Sequence, residues 1–442
     1  MNTQDKREYK RFFIHTLGCK VNQYESQAMR EILTVAGFKE CLSKETADVY
    51  IVNTCTVTDK ADKESRHWIG TFHKTNPGSK IIVTGCCAEQ DKDCLSFLPG
   101  VAHIVKNTDK ARIADIINDS PSSGARVPAL KLSITDFKGH TKAFVKIQDG
   151  CENKCSYCKV PFVRGGLSSR PIGEIVKEVE TLAEKGFKEI VLTGICLGAW
   201  GADILRDESA VFPGIGAPDI VDVLKAVDKI GGDFRIRLSS IEPLNVTDKL
   251  IDYIAGHRRI CRHLHIPMQS GDDAVLRMMN RPYTAAMYKE RIDRAVSRID
   301  GLALTTDIMI GFPGETHPHF KNTVNFVKEV LPARTHIFTF SKRPGTAAWD
   351  MAQETDAAAL KRRFYELKTV CLESSYLYRS RFLGHKLDVL VETRRDKLSG
   401  WLCGYSDNYV RVQFQGDDSL MRKVLPVEID DVSLARTLGK YE

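Results

Sequence analysis

The 442-residue sequence has no apolar run of 18 residues, so no membrane-spanning helix is expected. Its first residues, Met1-Asn-Thr-Gln-Asp-Lys-Arg-Glu, are charged and lack an apolar core, so no secretory leader is expected there. Neither sign of charge dominates: 64 Lys and Arg face 57 Asp and Glu, a net +7 that is compatible with a nucleic-acid partner without arguing for one. No internal repeat of 20–50 residues is visible, which excludes solenoids and propellers. With 43% hydrophobic and 27% charged residues the chain is neither disordered nor fibrous. Its length suits about three domains, enough to bury real cores without disulfide staples. Cysteine, however, is not scarce. There are thirteen, and without a leader they are expected to be reduced, so they divide between metal ligands and buried apolar residues.

The fold class expected is α/β, in three parts. Residues 10–118 alternate strands (12–18, 48–54, 80–85) with helices (24–36, 59–73), the pattern of a parallel sheet covered by helices. Residues 119–140, rich in Ser, Pro and Gly, read as a linker. Residues 141–383 give six strands, at 144–148, 189–193, 234–239, 263–267, 303–310 and 336–340, with a clear amphipathic helix at 172–185. Six βα units are too few for a closed eightfold barrel and suit an open, partial one. A helix over 356–382 ends this part. Residues 361–395 carry nine Lys or Arg against four acids. Residues 384–442 alternate as strands at 386–392, 409–414 and 424–429, the pattern of a small five-stranded barrel.

The strongest chemical signal is Cys151-Glu-Asn-Lys-Cys155-Ser-Tyr-Cys158, directly after a strand. Three thiolates at CxxxCxxC spacing can hold three corners of a cubane iron–sulfur cluster and leave the fourth iron open to a substrate. A zinc site would want a fourth Cys or His nearby, and none follows in the loop. A second set depends on the strand reading. Cys19, Cys55 and Cys86 each follow a strand of the first domain, 36 and 31 residues apart. A parallel sheet brings all three to its carboxyl edge, where α/β folds place ligands. A second cluster is favoured over coincidence, with Cys87 competing for the place of Cys86. Cys41, Cys87, Cys94, Cys196, Cys261, Cys371 and Cys403 read as inert buried thiols.

With these residues in view, the chain resembles the radical S-adenosylmethionine methylthiotransferase family over nearly its whole length. The resemblance rests on the CxxxCxxC loop and on His15-Thr-Leu-Gly-Cys-Lys-Val-Asn-Gln-Tyr-Glu-Ser, Val52-Asn-Thr-Cys-Thr-Val-Thr, Val83-Thr-Gly-Cys, Leu238-Ser-Ser-Ile-Glu-Pro, His263-Leu-His-Ile-Pro-Met-Gln-Ser-Gly and Gly311-Phe-Pro-Gly-Glu-Thr. Gly-Cys-Lys-Val-Asn-Gln-Tyr-Glu-Ser and Gly404-Tyr-Ser-Asp-Asn-Tyr look like the branch that acts on threonylcarbamoyl-adenosine in tRNA. The isopentenyl-adenosine branch usually has Gly-Cys-Gln-Met-Asn, and the ribosomal-protein S12 branch Gly-Cys-Pro-Lys-Asn.

The resemblance implies an N-terminal parallel α/β domain, a partial (β/α)6 radical-SAM barrel and a C-terminal TRAM-like RNA-binding barrel. It implies two 4Fe-4S clusters. Cys151, Cys155 and Cys158 would hold the one that binds and cleaves S-adenosylmethionine; Cys19, Cys55 and Cys86 would hold an auxiliary one that carries the donated sulfur. The product would be a 2-methylthio adenosine at tRNA position 37, and the hard steps would belong to the cofactors. Tyr157, Thr193, Gly194, Ser239, Ser240, Gln269, Ser270 and Gly311 are expected to line S-adenosylmethionine. Lys386, Arg394, Arg395, Lys397 and Arg411, with Trp401, Tyr405 and Tyr409, are expected to bind phosphates and stack bases. Arg164 and Arg170 either grip an anionic ligand or form internal salt bridges, and Asp307, inside an apolar strand, needs a partner. The implied partners are tRNA, a flavodoxin- or ferredoxin-like electron donor and a sulfur source, with no membrane and a cytoplasmic location. The rival readings are a methylthiotransferase for another tRNA adenosine or a ribosomal-protein side chain, a non-enzymatic iron–sulfur RNA-binding or redox protein, and a structural zinc protein.

Overall fold

The computed structural model describes residues 10–41, 47–119, 132–204, 218–352 and 356–441. Most of the expected linker, residues 120–131, lies outside the described residues. The chain forms two compact units, Met1–Thr135 with Cys158–Gly166, and Asp136–Tyr157 with Leu167–Glu442.

The first unit is a five-stranded, all-parallel sheet of β1 (Arg11–Thr16), β2 (Lys39–Glu40), β3 (Val49–Thr54), β4 (Lys80–Gly85) and β5 (Val101–Val105), in the order β2-β1-β3-β4-β5. Its helices are α1 (Lys20–Val35), α2 (Asp59–Thr75), α3 (Cys86–Gln90), α4 (Lys92–Ser96), α5 (Ile113–Ile117) and α6 (Val160–Arg164). Alternation along the strands sends Phe12, Ile51 and Ile82 to one face, against Met29 and Leu33 of α1 and Ile113 and Ile117 of α5. Tyr50, Val52, Ile81 and Val83 go to the other, against Ile69 and Phe72 of α2 and Leu95 of α4. Tyr50 stacks on Phe72 with ring centroids 4.5 Å apart. Both faces are therefore buried, as a doubly wound sheet requires. The sequence signals three of these strands. β2 is two polar residues long, and β5 is only partly buried, so neither presents a strong strand pattern.

In the second unit the barrel strands are β6 (Ala143–Lys146), β9 (Glu189–Thr193), β10 (Arg235–Leu238), β11 (His263–His265), β12 (Ala303–Ile310) and β13 (Arg334–Thr339), with a short antiparallel pair, β7 (Gln148–Asp149) and β8 (Ser168–Ser169), beside them. β6-β9-β10 and β11-β12-β13 are parallel, and parallel bridges from Ile236 to Ile260 and from Ser240 to His265 join the two halves. The result is the expected run of six consecutive parallel strands, with β6 and β13 unpaired with each other among the described residues. Helices α7 (Ile172–Glu184), α8 (Ile220–Asp228), α9 (Asp248–Gly256), α10 (Asp273–Met278), α11 (Ala285–Arg298) and α12 (His317–Val330) cover it. A 24-residue helix, α13 (Ala357–Ser380), leads to a closed barrel of β14 (Lys386–Val391), β15 (Leu402–Tyr405), β16 (Arg411–Phe414), β17 (Val424–Val432) and β18 (Thr437–Lys440) in the order β14-β15-β16-β18-β17. Val389, Leu402, Val412, Phe414 and Val427 fill it, and Tyr378 of α13 packs in the same core. β15 and β18 escape the sequence pattern because each four-residue strand contains a glycine, which weakens a strand signal.

Candidate metal centres

The order of the first sheet reverses between β1 and β3, and ligands of such sheets sit outside the carboxyl ends of the strands at that point. Cys19 follows β1 as the N-cap of α1, Cys55 follows β3, and Cys86 follows β4 as the first residue of α3. Two glycines let these ends converge. A Cβ at Gly18 would lie 2.8 Å from Cβ of Cys55, and one at Gly85 would lie 2.4 Å from the Thr54 carbonyl oxygen; both residues have φ near +90°. Burial pushes the Cys55 thiol up to about 11, and the neighbouring Cys86 and Cys19 push in the same direction. Burial also raises Cys86, against the opposing pull of Arg164. Cys55 and Cys86, which resist ionisation in this buried site, fit with Cys19 a cationic metal group, because a bound metal deprotonates its thiol ligands outright. Cys87 is turned the other way. It packs with Tyr50 and Phe72 on the opposite face, hydrogen-bonds Asp62, and lies 4.0 Å from Asp91.

Behind the three cysteines lies a buried polar network that sequence reasoning missed. Arg164 Nε donates to Cys86 Sγ at 3.4 Å, and its Nη1 donates to Glu25 at 2.6 Å. Lys110, fully buried, also pairs with Glu25. Asn22 Nδ2 donates to the carbonyls of Leu17 and Thr54, at 2.8 and 2.9 Å, tying the loops after β1 and β3 together. Asn53 Nδ2 in turn donates to the Asn22 carbonyl at 2.9 Å. Asn22, Glu25 and Ser26 sit at i, i+3 and i+4 on the buried face of α1. That polar stripe on an otherwise apolar face was the available signal. Arg164 thus grips a carboxylate of the protein itself. Arg170 does the same, pairing with Glu178 at 2.6 Å and donating to the Lys146 carbonyl.

Cys151 and Cys155 lie on the loop after β7 in the second unit; Cys158, three residues further along the chain, belongs to the first. Gln148 fastens the base of the loop. Its Nε2 donates to the carbonyls of Asp149 and Gly150, and its Oε1 accepts from the Cys196 N–H at 2.7 Å. The Cys196 thiol hydrogen-bonds Cys151 and lowers it, while Cys196 is itself raised. Cys196 is the buried, un-ionised thiol expected, and it is also a neighbour of the cysteine loop. Arg281 Nη1 donates to Cys155 Sγ at 3.0 Å and pairs with Glu242. Burial raises Cys155, and Arg281 opposes that rise. The Tyr157 ring packs edge-on to Phe312 against the apolar cluster of Phe312 and Phe340, which anchors the loop.

The other residues expected at S-adenosylmethionine stand at or just beyond the carboxyl ends of the barrel strands: Thr193 and Gly194 after β9, Ser239 and Ser240 after β10, Gln269 and Ser270 beyond β11, Gly311 after β12. Several are already engaged. Ser270 Oγ meets Thr323 and accepts from the Asp272 N–H, and the Gly311 N–H donates to Glu315 at 2.7 Å. Ser239 Oγ is different: it is buried with no hydrogen-bond partner among the described residues. An orphaned hydroxyl at a strand end suits a polar ligand. Asp307 has its partner in His265, at 3.3 Å.

Four of the residues expected at RNA have partners within the protein. Tyr405 and Tyr409 stack on each other, and Tyr409 also stacks on His263 at 4.2 Å, while Lys142 covers the Tyr405 ring. Arg235 and Arg237 bind the carbonyls of Tyr405, Ser406 and Asp407, fastening the turn to the barrel. The faces of these half-buried rings are covered by each other, His263 and Lys142. Arg395 bridges Asp418 and the carbonyls of Gly400 and Gly416, and Arg411 pairs with Asp396 at 2.8 Å. Lys386, Arg394 and Lys397 enter no ion pair among the described residues, and Trp401 is half-buried.

The fold and the cysteine loop define a radical S-adenosylmethionine protein. Residues 145–327 match the radical SAM superfamily, and residues 11–106 match a family described as uncharacterized protein family UPF0004. Among solved structures, the radical S-adenosylmethionine methyltransferase TsrM from Kitasatospora setae shares the fold, with TM-score 0.53, 14% identity, and coverage of 77% of this chain and 75% of that one. The threonylcarbamoyladenosine tRNA methylthiotransferase MtaB of Bacillus subtilis is 36% identical over 94% of this chain and 92% of its own. Its counterpart in Thermotoga maritima is 36% identical over 91% of each. A tRNA-2-methylthio-N(6)-dimethylallyladenosine synthase of Desulfitobacterium hafniense is 32% identical over 96% of this chain and 95% of its own. The chain belongs to the radical S-adenosylmethionine methylthiotransferase family and is an enzyme. Among the described residues no helix is long and apolar enough to cross a membrane.

Proposed function

We propose that this enzyme adds a methylthio group to C2 of N6-threonylcarbamoyladenosine at position 37 of tRNA. The observation that carries the reading is the presence of two separate three-cysteine sets, each of which would leave one iron of a cubane cluster without a protein thiolate. A redox or RNA-binding protein needs no such duplication. The choice of base is supported by the Gly18–Ser26 motif and by the similarity to the two MtaB proteins.

Cys151, Cys155 and Cys158 would hold one 4Fe-4S cluster, and Cys19, Cys55 and Cys86 a second. When bound, these groups and S-adenosylmethionine supply one-electron cleavage of a sulfonium and a sulfur to be methylated and transferred, which an aromatic C–H requires. The protein's own part is to position and desolvate. Gln148 and Cys196 set the Cys151 loop, and Arg281 places a cation against Cys155. Arg164 does the same for Cys86. Ser239 offers a hydroxyl to the bound cosubstrate. An electron donor of the flavodoxin or ferredoxin kind and a sulfur source complete the cycle, in the cytoplasm with tRNA.

Mass spectrometry of tRNA nucleosides from a strain lacking the protein tests the reading. Loss of 2-methylthio-threonylcarbamoyl-adenosine, with threonylcarbamoyl-adenosine accumulating, is expected. Its persistence overturns the substrate; loss of a methylthio-dimethylallyl-adenosine instead moves the enzyme to the other branch. Cys155→Ala is expected to abolish cleavage of S-adenosylmethionine.

A further inference from the structure

A cleft of about 300 Å³ in the second unit runs between the last barrel strand β13, the basic helix α13 and the C-terminal barrel. Its charged lining is entirely cationic: Arg334 of β13, Lys368 and Arg379 of α13, Arg411, and Arg436 just before β18. Arg411 is neutralised by Asp396. The other four meet no carboxylate among the described residues. Arg334, Lys368 and Arg436 are exposed and unpaired there. Arg379 is held in place without being neutralised: its Nη1 donates to Thr437 Oγ1 at 2.9 Å, and its Nη2 to the carbonyls of Ser433 and Leu434. Four cations that line one cleft with no acid in its lining focus a positive field there, which makes a site for an anion. The aromatic rings at the cleft, Tyr405 and Tyr409, present edges only, because their faces are taken by each other, Lys142 and His263. The site therefore suits phosphate and not a stacked base.

We propose that this cleft binds the phosphodiester backbone of the single-stranded loop beside the modified nucleotide, through Arg334, Lys368, Arg379 and Arg436. The proposal rests on the tRNA reading above and adds its anchoring surface. Position selects the loop over a distant stem. β13 is the free edge of the open barrel, and its six residues from Arg334 to Thr339 cover only ~17 Å at ~3.3 Å per residue. A chain held at Arg334 thus needs only a few nucleotides to reach the carboxyl ends of the strands. Along that edge Phe338 is 45% exposed, an open flank past which a flipped base can travel.

The triple variant Arg334→Ala/Lys368→Ala/Arg436→Ala removes exposed side chains only, so folding and iron content serve as controls and are expected to be unchanged. Binding is measured for the reconstituted enzyme with an anticodon stem–loop RNA and with a blunt duplex of the stem alone, across a salt series. The triple variant is expected to bind the stem–loop about tenfold more weakly and to lose about 2 from the log–log salt slope, at ~0.7 per phosphate on a single strand. Duplex binding is expected to be the same in both proteins. Unchanged stem–loop affinity and slope overturn the proposal while leaving the tRNA reading intact, and so does an equal loss with the duplex. A wild-type enzyme that binds neither RNA overturns the reading beneath it as well.

Discussion

Arg164 Nη1 lies 2.6 Å from Glu25 Oε1, with both side chains about 1% exposed, and the same guanidinium reaches Cys86 through Nε. One side chain thus neutralises a buried acid and faces a proposed cluster ligand. Replacing it by Met keeps the length but takes one buried cation from Glu25, which keeps Lys110. A buried charge stripped of a partner costs about 3 kcal/mol. Arg164→Met is expected to lower the unfolding temperature of the first unit and to reduce the iron retained after anaerobic reconstitution. Calorimetry and iron analysis check the two effects, and a melting profile equal to wild type would contradict the role given to Arg164.

Cys86 and Cys87 are neighbours in sequence but serve opposite faces of the first unit. Cys86 ends at the carboxyl edge beside Arg164, and Cys87 enters the core near Asp62 and Asp91. With two 4Fe-4S clusters the reconstituted enzyme should carry about eight irons. Cys86→Ala should leave about four, while S-adenosylmethionine cleavage persists. Cys87→Ala should keep all eight and cost roughly 1 kcal/mol for the small cavity. Equal iron loss in both variants would break the distinction.

Glu189, wholly buried at the start of β9, is ringed by Arg235, Arg237 and Lys142. Burial alone would raise its carboxyl, yet Arg237, Lys142 and Arg235 hold it well below the ordinary value. A depressed acid gives stability that is fully present above its unfolded value, about 4.5, and is lost as pH falls through the folded one. The second unit should therefore lose stability progressively below pH ~4.5. Glu189→Gln should flatten that acid limb and cost about 3 kcal/mol at neutral pH, because three cations lose their anion. Denaturation midpoints measured from pH 3 to 7 check the sign. The Tyr405–Tyr409 turn, which Arg235 and Arg237 hold by its carbonyls, should loosen in the same variant.

Periodicity made the strands and long helices readable because each buries one kind of face at a fixed spacing. Both cysteine sets followed, the local one from CxxxCxxC and the dispersed one from strand ends. Short elements such as β2, β15 and β18 carry too few residues to show a period. The roles of Glu25, Lys110, Cys196 and Arg281 were hidden for a different reason. Each acts through a partner 39 to 139 residues away along the chain, 48 residues for the Cys196 N–H and Gln148. For the aromatic residues of the last domain, composition reveals a ring but not whether its faces are already covered, as they are at Tyr409.

Arg281 yields a redox prediction. Its Nη1 donates to Cys155 Sγ at 3.0 Å, while Glu242 and the Tyr283 ring hold the guanidinium in place. Hydrogen bonds and positive charge at a ligating sulfur favour the more negative, reduced cluster, and so raise its potential. Arg281→Met should therefore move the midpoint of the Cys151–Cys155–Cys158 cluster to more negative values by several tens of millivolts, 59 mV being a factor of ten for one electron. Arg281→Lys, which keeps the charge but not the fork that serves Cys155 and Glu242 together, should fall between. Spectroelectrochemistry on a Cys19→Ala background, where the second cluster is absent, isolates the signal. A midpoint that stays put while the iron count holds would show that Arg281 serves Glu242 alone.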